Sequence, residues 1–158
     1  MTLSIRRAHP DESGFLTELT VRSKAHWGYD DSFMEAERHE LEFQPAKFQP
    51  DFHVYVLEEH DERIGFFSLI PINHETVELH DLFMEPGRIG NGYGKQMWDY
   101  AVNLARDLGY RRLILTADPH AEPFYARQGA VRIGEKTSRA FPDRKLPLME
   151  FSLGDRNL

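Results

Sequence analysis

Gly90-Asn91-Gly92-Tyr93-Gly94 lies shortly after the apolar run Leu82-Phe83-Met84 and opens a helical pattern, and this juxtaposition narrows the fold more than any other part of the chain. Three glycines in five residues let a backbone approach a bulky anion and turn its N–H groups toward it. The N-terminus of the following helix adds a partial positive charge. The stretch therefore reads as a strand, an anion-binding loop and a helix. Two familiar phosphate motifs fail against it. A Walker A loop needs Gly five residues before Gly94, where Ile89 stands, and Ser or Thr after Lys95, where Gln96 stands. The dinucleotide fingerprint needs a third Gly where Lys95 or Met97 is found. What remains is a different strand-loop-helix site.

Hydrophobic periodicity places the other elements. Residues 3–6 read as a strand, and Asp11 as the cap of a helix that turns Phe15, Leu16, Leu19 and Ser23 inward. Ser32 with Glu35 forms a capping-box pattern ahead of a second helix running to about Phe43, which Pro45 and Pro50 end. Residues 51–84 read as a three-stranded antiparallel meander, with Glu59-His60-Asp61-Glu62 as its first turn. Over residues 95–108 the spacing of Met97, Ala101, Leu104, Ala105 and Leu108 predicts an amphipathic helix stopped by Gly109. Leu113-Ile114-Leu115-Thr116 reads as a central strand covered on both faces. A short helix near residue 124 and strands over 131–137 and 146–153 close the chain. No repeat, linker or low-complexity segment interrupts it, so the expectation is one domain over residues 1–158.

Composition excludes several function classes. At 158 residues, with 41% hydrophobic and 12% aromatic residues, the chain can bury about two-thirds of its unfolded surface around a core. No apolar run approaches the roughly 20 residues of a membrane helix, and the first residues carry no signal-peptide core, so the expected location is the cytoplasm with no membrane partner. The absence of cysteine rules out a thiol nucleophile and Cys-ligated zinc, and no two histidines stand four residues apart as a helical metal pair does, so no metal is expected. A net charge of −7 argues against coating a nucleic acid and suits a cationic substrate.

A second segment joins the glycine loop: Asp118-Pro119-His120-Ala121-Glu122-Pro123-Phe124-Tyr125-Ala126-Arg127-Gln128-Gly129-Ala130. The stretch from Leu82 to Gly94, with Pro86 before the glycines, resembles motif A of the GNAT N-acetyltransferase superfamily, and this second segment is similar to its motif B. The pair lies in the family's order and separation, and the resemblance covers roughly residues 50 to 153. Three positions depart from the usual pattern. Ile89 stands where Arg or Gln is common, with Arg88 displaced by one; Asp118 replaces Asn; and Ala130 replaces an aromatic residue.

The resemblance implies an α/β fold of GNAT type, a mostly antiparallel central sheet of about seven strands flanked by about four helices. It implies acetyl-coenzyme A as cofactor and transfer of its acetyl group to a primary amine of a small molecule or peptide by direct attack. On this basis the pyrophosphate rests on amides of Ile89, Gly90, Asn91, Gly92, Tyr93 and Gly94, with Lys95 at the helix start. Backbone groups of Leu82, Phe83 and Met84 hold the pantetheine, Asp118 stands at the family's pantetheine-contacting position, and Tyr125 matches the tyrosine that protonates the thiolate. The base is left open. Glu78 and His80 share a strand face with Leu82 and Met84 if no bulge intervenes, a bulge favours Asp81, and a water chain is the remaining route. The acceptor pocket is bordered by the segment holding His26, Trp27 and Tyr29, against a reading of Trp27 as core, and by residues 138–145, against a reading of these as a bare basic hairpin. A homodimer is left open. The reading from another class is a non-catalytic acyl-coenzyme A sensor that binds without turnover.

Overall fold

The structure, a computed structural model, describes residues 3–154. Among these, the chain runs β1 (Leu3–Arg7), α1 (Ser13–Ala25), α2 (Asp31–Leu41), β2 (His53–Glu59), β3 (Glu62–Pro71), β4 (Thr76–Met84), α3 (Tyr93–Asp107), β5 (Arg112–Thr116), α4 (Glu122–Arg127), β6 (Val131–Thr137) and β7 (Lys145–Ser152). The strands form a seven-stranded sheet in the order β1-β2-β3-β4-β5-β7-β6. Strands β4 and β5 are parallel, whereas β1 with β2, β5 with β7, and β6 with β7 are antiparallel. This is the mixed α/β arrangement expected. By density of contacts the chain divides into two compact units, residues 3–68 with 81–98, and residues 69–80 with 99–154.

The first unit packs around Leu16, Leu19, Phe43, Val54, Val56 and Phe66, with Phe83 against them. Its two helices start one or two residues away from where the sequence suggested. Glu12, not Asp11, occupies the N-cap of α1, and a 3-10 turn over Pro10–Glu12 precedes it. The Glu12 carboxylate accepts from the His9 amide at 2.9 Å, and from Arg6 and Arg63 at 2.9 and 3.0 Å. The Glu12 carboxylate thus closes the 3-10 turn back onto His9 and makes no hydrogen bond to the first turn of α1. At α2 the cap is Asp30, whose carboxylate accepts from the Phe33 amide at 2.8 Å, so the Ser32 and Glu35 pattern falls inside the helix.

Strands β2 and β3 are joined by His60 and Asp61, both at positive φ, 52° and 64°. Positive φ at both central residues is what a type I′ hairpin turn requires, because that backbone twist matches the twist of the strands. A two-residue connection sets Glu59 and Glu62 directly across from one another. Further along β3, Gly65 is needed for close approach: a Cβ there would lie 2.9 Å from the Phe83 carbonyl and 3.1 Å from the Met97 methyl.

In the second unit, β5 alternates rather than burying both faces. Leu113 and Leu115 are buried, while Arg112, Ile114 and Thr116 are partly exposed, and Arg112 pairs with Glu150 of β7 at 2.9 Å. One face of this strand thus carries charge, which four apolar or β-branched residues in a row conceal. Helix α3 begins two residues earlier than its periodicity suggested and buries a stripe rotated by one position. Trp98 and Val102 join Met97, Ala101 and Ala105, whereas Leu108 is 43% exposed.

Candidate active site

The shape of the glycine loop rests on how α3 starts. Gln96 N–H donates to the Gly92 carbonyl at 3.2 Å, which makes Gly92 the residue whose carbonyl accepts the first bond of the helix. The N–H groups of the first helical turn have no acceptor inside the helix and point out of its end, where an anion satisfies them and meets the positive end of the dipole. Gly90 and Gly92 stand at φ +92° and +82°, in the left-handed region, with no atom within 4 Å of where a Cβ would sit. The loop is strained for any other residue and open on the side a ligand approaches. A pyrophosphate fits such a cradle, because backbone donors can reach its oxygens from several directions.

Three acidic groups stabilise the surroundings of this loop. Ahead of it, Glu85 pairs with Arg22 of α1 at 2.5 Å, and the Glu85 amide donates to the Ile64 carbonyl at 2.8 Å. Arg88, in a 3-10 turn over Pro86–Arg88, pairs with Glu59 and, at 3.2 Å, with Glu62. Tyr93, the first residue of α3, donates its phenol hydroxyl to the same Glu59 carboxylate. The Tyr93 hydrogen bond and then the Arg88 guanidinium hold Glu59 below the usual carboxylate range, and the same bond pushes the Tyr93 phenol up. Sequence reading found Tyr93 only as a backbone donor and missed Glu59, whose partners lie 29 and 34 residues away.

Leu82, Phe83 and Met84 form the end of β4, with Met84 buried and the other two partly so. Burial along β4 falls on Thr76, Val77, Leu79 and Met84, and Phe83 packs against the core of the first unit, so both faces of the strand are covered. Glu78 and His80, two residues apart on β4, are partly exposed and exposed, respectively. They form a pair of their own, His80 Nδ1 lying 3.1 Å from Glu78 Oε2, with side chains 38% and 21% exposed. Asp81 accepts from the buried Ser68 hydroxyl at 2.6 Å.

Tyr125 is buried in α4, its ring edge-on to Phe124 at 5.1 Å. The Asp118 carboxylate accepts from the His120 amide at 2.9 Å and lies 3.4 Å from Arg144 of the segment joining β6 to β7. A neutral Asn at this position would remove the charge that Asp118 sets against Arg144.

His26, Trp27 and Tyr29 follow the end of α1. Trp27 is 37% exposed, which removes the core reading, and stands edge-on to His26 at 5.3 Å. Tyr29 stacks on Phe33 at 4.1 Å with the Lys24 ammonium 5.3 Å from its ring centre. Among the described residues no group of three His, Cys, Asp or Glu side chains is placed to hold a metal ion, and no helix is long and apolar enough to cross a membrane.

The sequence profile described as the Acetyltransferase (GNAT) family matches residues 16–130. Among curated proteins no sequence match is found. Solved structures share the fold at low identity. The PaiA N-acetyltransferase of Thermoplasma acidophilum, solved with coenzyme A, is 19% identical over 96% of this chain and 99% of its own, with a TM-score of 0.74. A GCN5-related N-acetyltransferase from Rhodopseudomonas palustris is 20% identical over 96% of both chains, with a TM-score of 0.78. An aminoglycoside 6′-N-acetyltransferase complexed with coenzyme A is 21% identical over 97% of both, with a TM-score of 0.72. With the profile spanning more than half of its length, from α1 through the glycine loop to the end of motif B, the chain belongs to the GNAT acetyltransferase family, whose acetyl donor is acetyl-coenzyme A.

Proposed function

We propose that the protein moves the acetyl group of acetyl-coenzyme A to a primary amine of a small molecule or peptide by direct attack, as one catalytic domain acting in the cytoplasm. The observation that carries this reading is the cradle built by Gly90, Gly92 and the start of α3. Amides from Ile89 through Gly94 take the pyrophosphate, with Lys95 adding charge, and the backbone of Leu82 to Met84 aligns the pantetheine. In the transfer, the amine nitrogen forms a bond to the thioester carbonyl carbon, the carbon–sulfur bond breaks, the sulfur takes a proton from Tyr125, and the nitrogen gives one up. A lysine-like amine has a pKa near 10.4, so it must lose a proton before it attacks. Glu78 with His80, or Asp81, accepts that proton directly or through water. The charge of −7 and the exposed Trp27 and Tyr29 suit a cationic acceptor that rests its ammonium on an aromatic face.

Release of free thiol from acetyl-coenzyme A against a panel of polyamines, amino sugars and peptide amines tests the proposal. An amine that accelerates release above hydrolysis, with acetylated product identified by mass, supports it. Tight coenzyme A binding with no turnover on any amine class would favour the sensor reading. The engagement of Asp118 by Arg144, in place of a neutral amide at that point of motif B, is the observation on that side.

A further inference from the structure

The geometry points to Glu59 as a positioning residue for the donor: its carboxylate braces both ends of the glycine loop, through Arg88 on one side and Tyr93 on the other. The inference rests on the cradle reading above and adds what sets the loop's shape.

His60 and Asp61 close β2 onto β3 in two residues, which places Glu59 and Glu62 opposite each other. Like charges directly across a hairpin repel. Arg88 relieves this by pairing with both carboxylates. Glu59 is 5% exposed, and its second oxygen takes the Tyr93 hydroxyl. The chain between Arg88 and Tyr93 is the segment Ile89-Gly90-Asn91-Gly92, the turn that must present its amides to an anion. Two glycines at positive φ give that turn many alternatives when nothing holds its ends. With Arg88 and Tyr93 tied to one buried carboxylate, the span is fixed before a ligand arrives, and less ordering is left for binding to supply. Charge balance supports this division of labour. Arg88 is matched by two carboxylates and brings no net positive charge, so attraction for a phosphate comes from the amides, the helix end and Lys95.

The test compares two donors on the full-length protein: acetyl-coenzyme A, and S-acetyl-pantetheine, which carries the reacting thioester but no pyrophosphate. Tyr93→Phe removes one tie and leaves every formal charge and the Tyr93 amide in place. It is expected to raise the KM for acetyl-coenzyme A and the Kd for coenzyme A roughly 3- to 10-fold, and to raise the KM for S-acetyl-pantetheine by a clearly smaller factor, so that the preference for acetyl-coenzyme A falls. Glu59→Gln weakens both ties and is expected to raise the coenzyme A values about 10-fold or more. Because the two changes act through one side chain, the double variant should lose less than the product of the two single losses, and a full product would overturn the shared brace. An equal loss on both donors would make Glu59 a general stabiliser and overturn the inference, as would variants that keep the full wild-type preference for acetyl-coenzyme A. If Glu59→Gln does not fold, Tyr93→Phe alone is judged by the same criteria. A wild-type protein with no preference between the donors would refute the pyrophosphate cradle itself and this inference with it.

Discussion

At the scale of single residues, two positions are proposed to serve separable parts of the chemistry. Gly92 was readable from the sequence because its role is conformational: only glycine adopts φ +82° without strain at the point where the helix begins. The space around it is empty, so Gly92→Val acts through the backbone and not through a clash within the protein. Forcing the residue out of the left-handed region turns amides away from the anion, and Kd for coenzyme A should rise by the equivalent of about 1 to 3 kcal/mol, read by calorimetry on a variant with native circular dichroism. Equal affinity would remove the cradle. Tyr125 was readable for another reason, its place in motif B. If it protonates the leaving thiolate, Tyr125→Phe should lower kcat roughly 10²-fold and leave Kd for coenzyme A nearly unchanged, because general-acid help acts in the transition state. Single-turnover rates show whether chemistry limits; an unchanged chemical step would take Tyr125 out of the mechanism. Glu59 was not readable. A glutamate before a turn looks like any solvated one until Arg88 and Tyr93 are folded over it.

At the scale of elements, strand order and helix order follow from periodicity, whereas caps and faces do not. Asp11 and Ser32 are sound cap residues by type, yet Glu12 and Asp30 take the positions, Glu12 with its carboxylate held by Arg6, Arg63 and the His9 amide. Choice between neighbouring caps depends on partners far away in sequence, and local pattern does not contain them. The β2–β3 hairpin is the opposite case, since Glu-His-Asp-Glu reads as a turn from composition alone and forms one with both central residues at positive φ. Asparagine and glycine are preferred there, and Asp61 at φ 64° bears part of the strain. Asp61→Gly should raise stability by about 0.5 to 1 kcal/mol, the relief of that strain less the added freedom of the unfolded chain. Urea midpoints measure it, and a lowered midpoint would show that the aspartate side chain has a use in the turn. The loop after α1 gives a kinetic prediction. With Trp27 37% exposed, Trp27→Ala should raise the acceptor's KM severalfold, as loss of an aromatic face for an ammonium does, and spare the KM for acetyl-coenzyme A. Two unchanged KM values would take Trp27 out of the acceptor site.

For the whole molecule, fold class and family were legible because both rest on order: a strand, a glycine loop, a helix, a strand and a second helix ending in Tyr125 and Gly129. The charge network that governs stability was not, because it joins residues distant in sequence. Arg6 of β1 reaches Glu12 and Glu58, and Arg63 of β3 reaches Glu12 as well. Hydrogen bonds from Arg6 above all, with the His9 amide and Arg63 adding to them, lower Glu12 from 4.5 to about 2. His53, desolvated by burial and facing Arg7, is also lowered from its ordinary value of 6.5. Both shifts have the same consequence on acidification. A group whose folded pKa lies below its unfolded value binds more protons in the unfolded chain, so the folded state loses ground as pH falls. For His53 that loss sets in as pH drops through about 6.5, and for Glu12 between about 4.5 and 2. The Glu12 depression corresponds to at most about 3 kcal/mol, since its carboxylate is largely buried among its donors. Unfolding free energies from urea titration should therefore fall in two limbs, shallow below pH 6.5 and steep below 4.5. Glu12→Gln should cost stability at pH 7, flatten the steep limb and converge on wild type only below about pH 2, as the carboxyl becomes protonated in folded and unfolded chains alike. Parallel curves for the two proteins from neutral to acid pH would mean that Glu12 keeps an ordinary pKa and that the arginines around it stabilise the fold by packing alone.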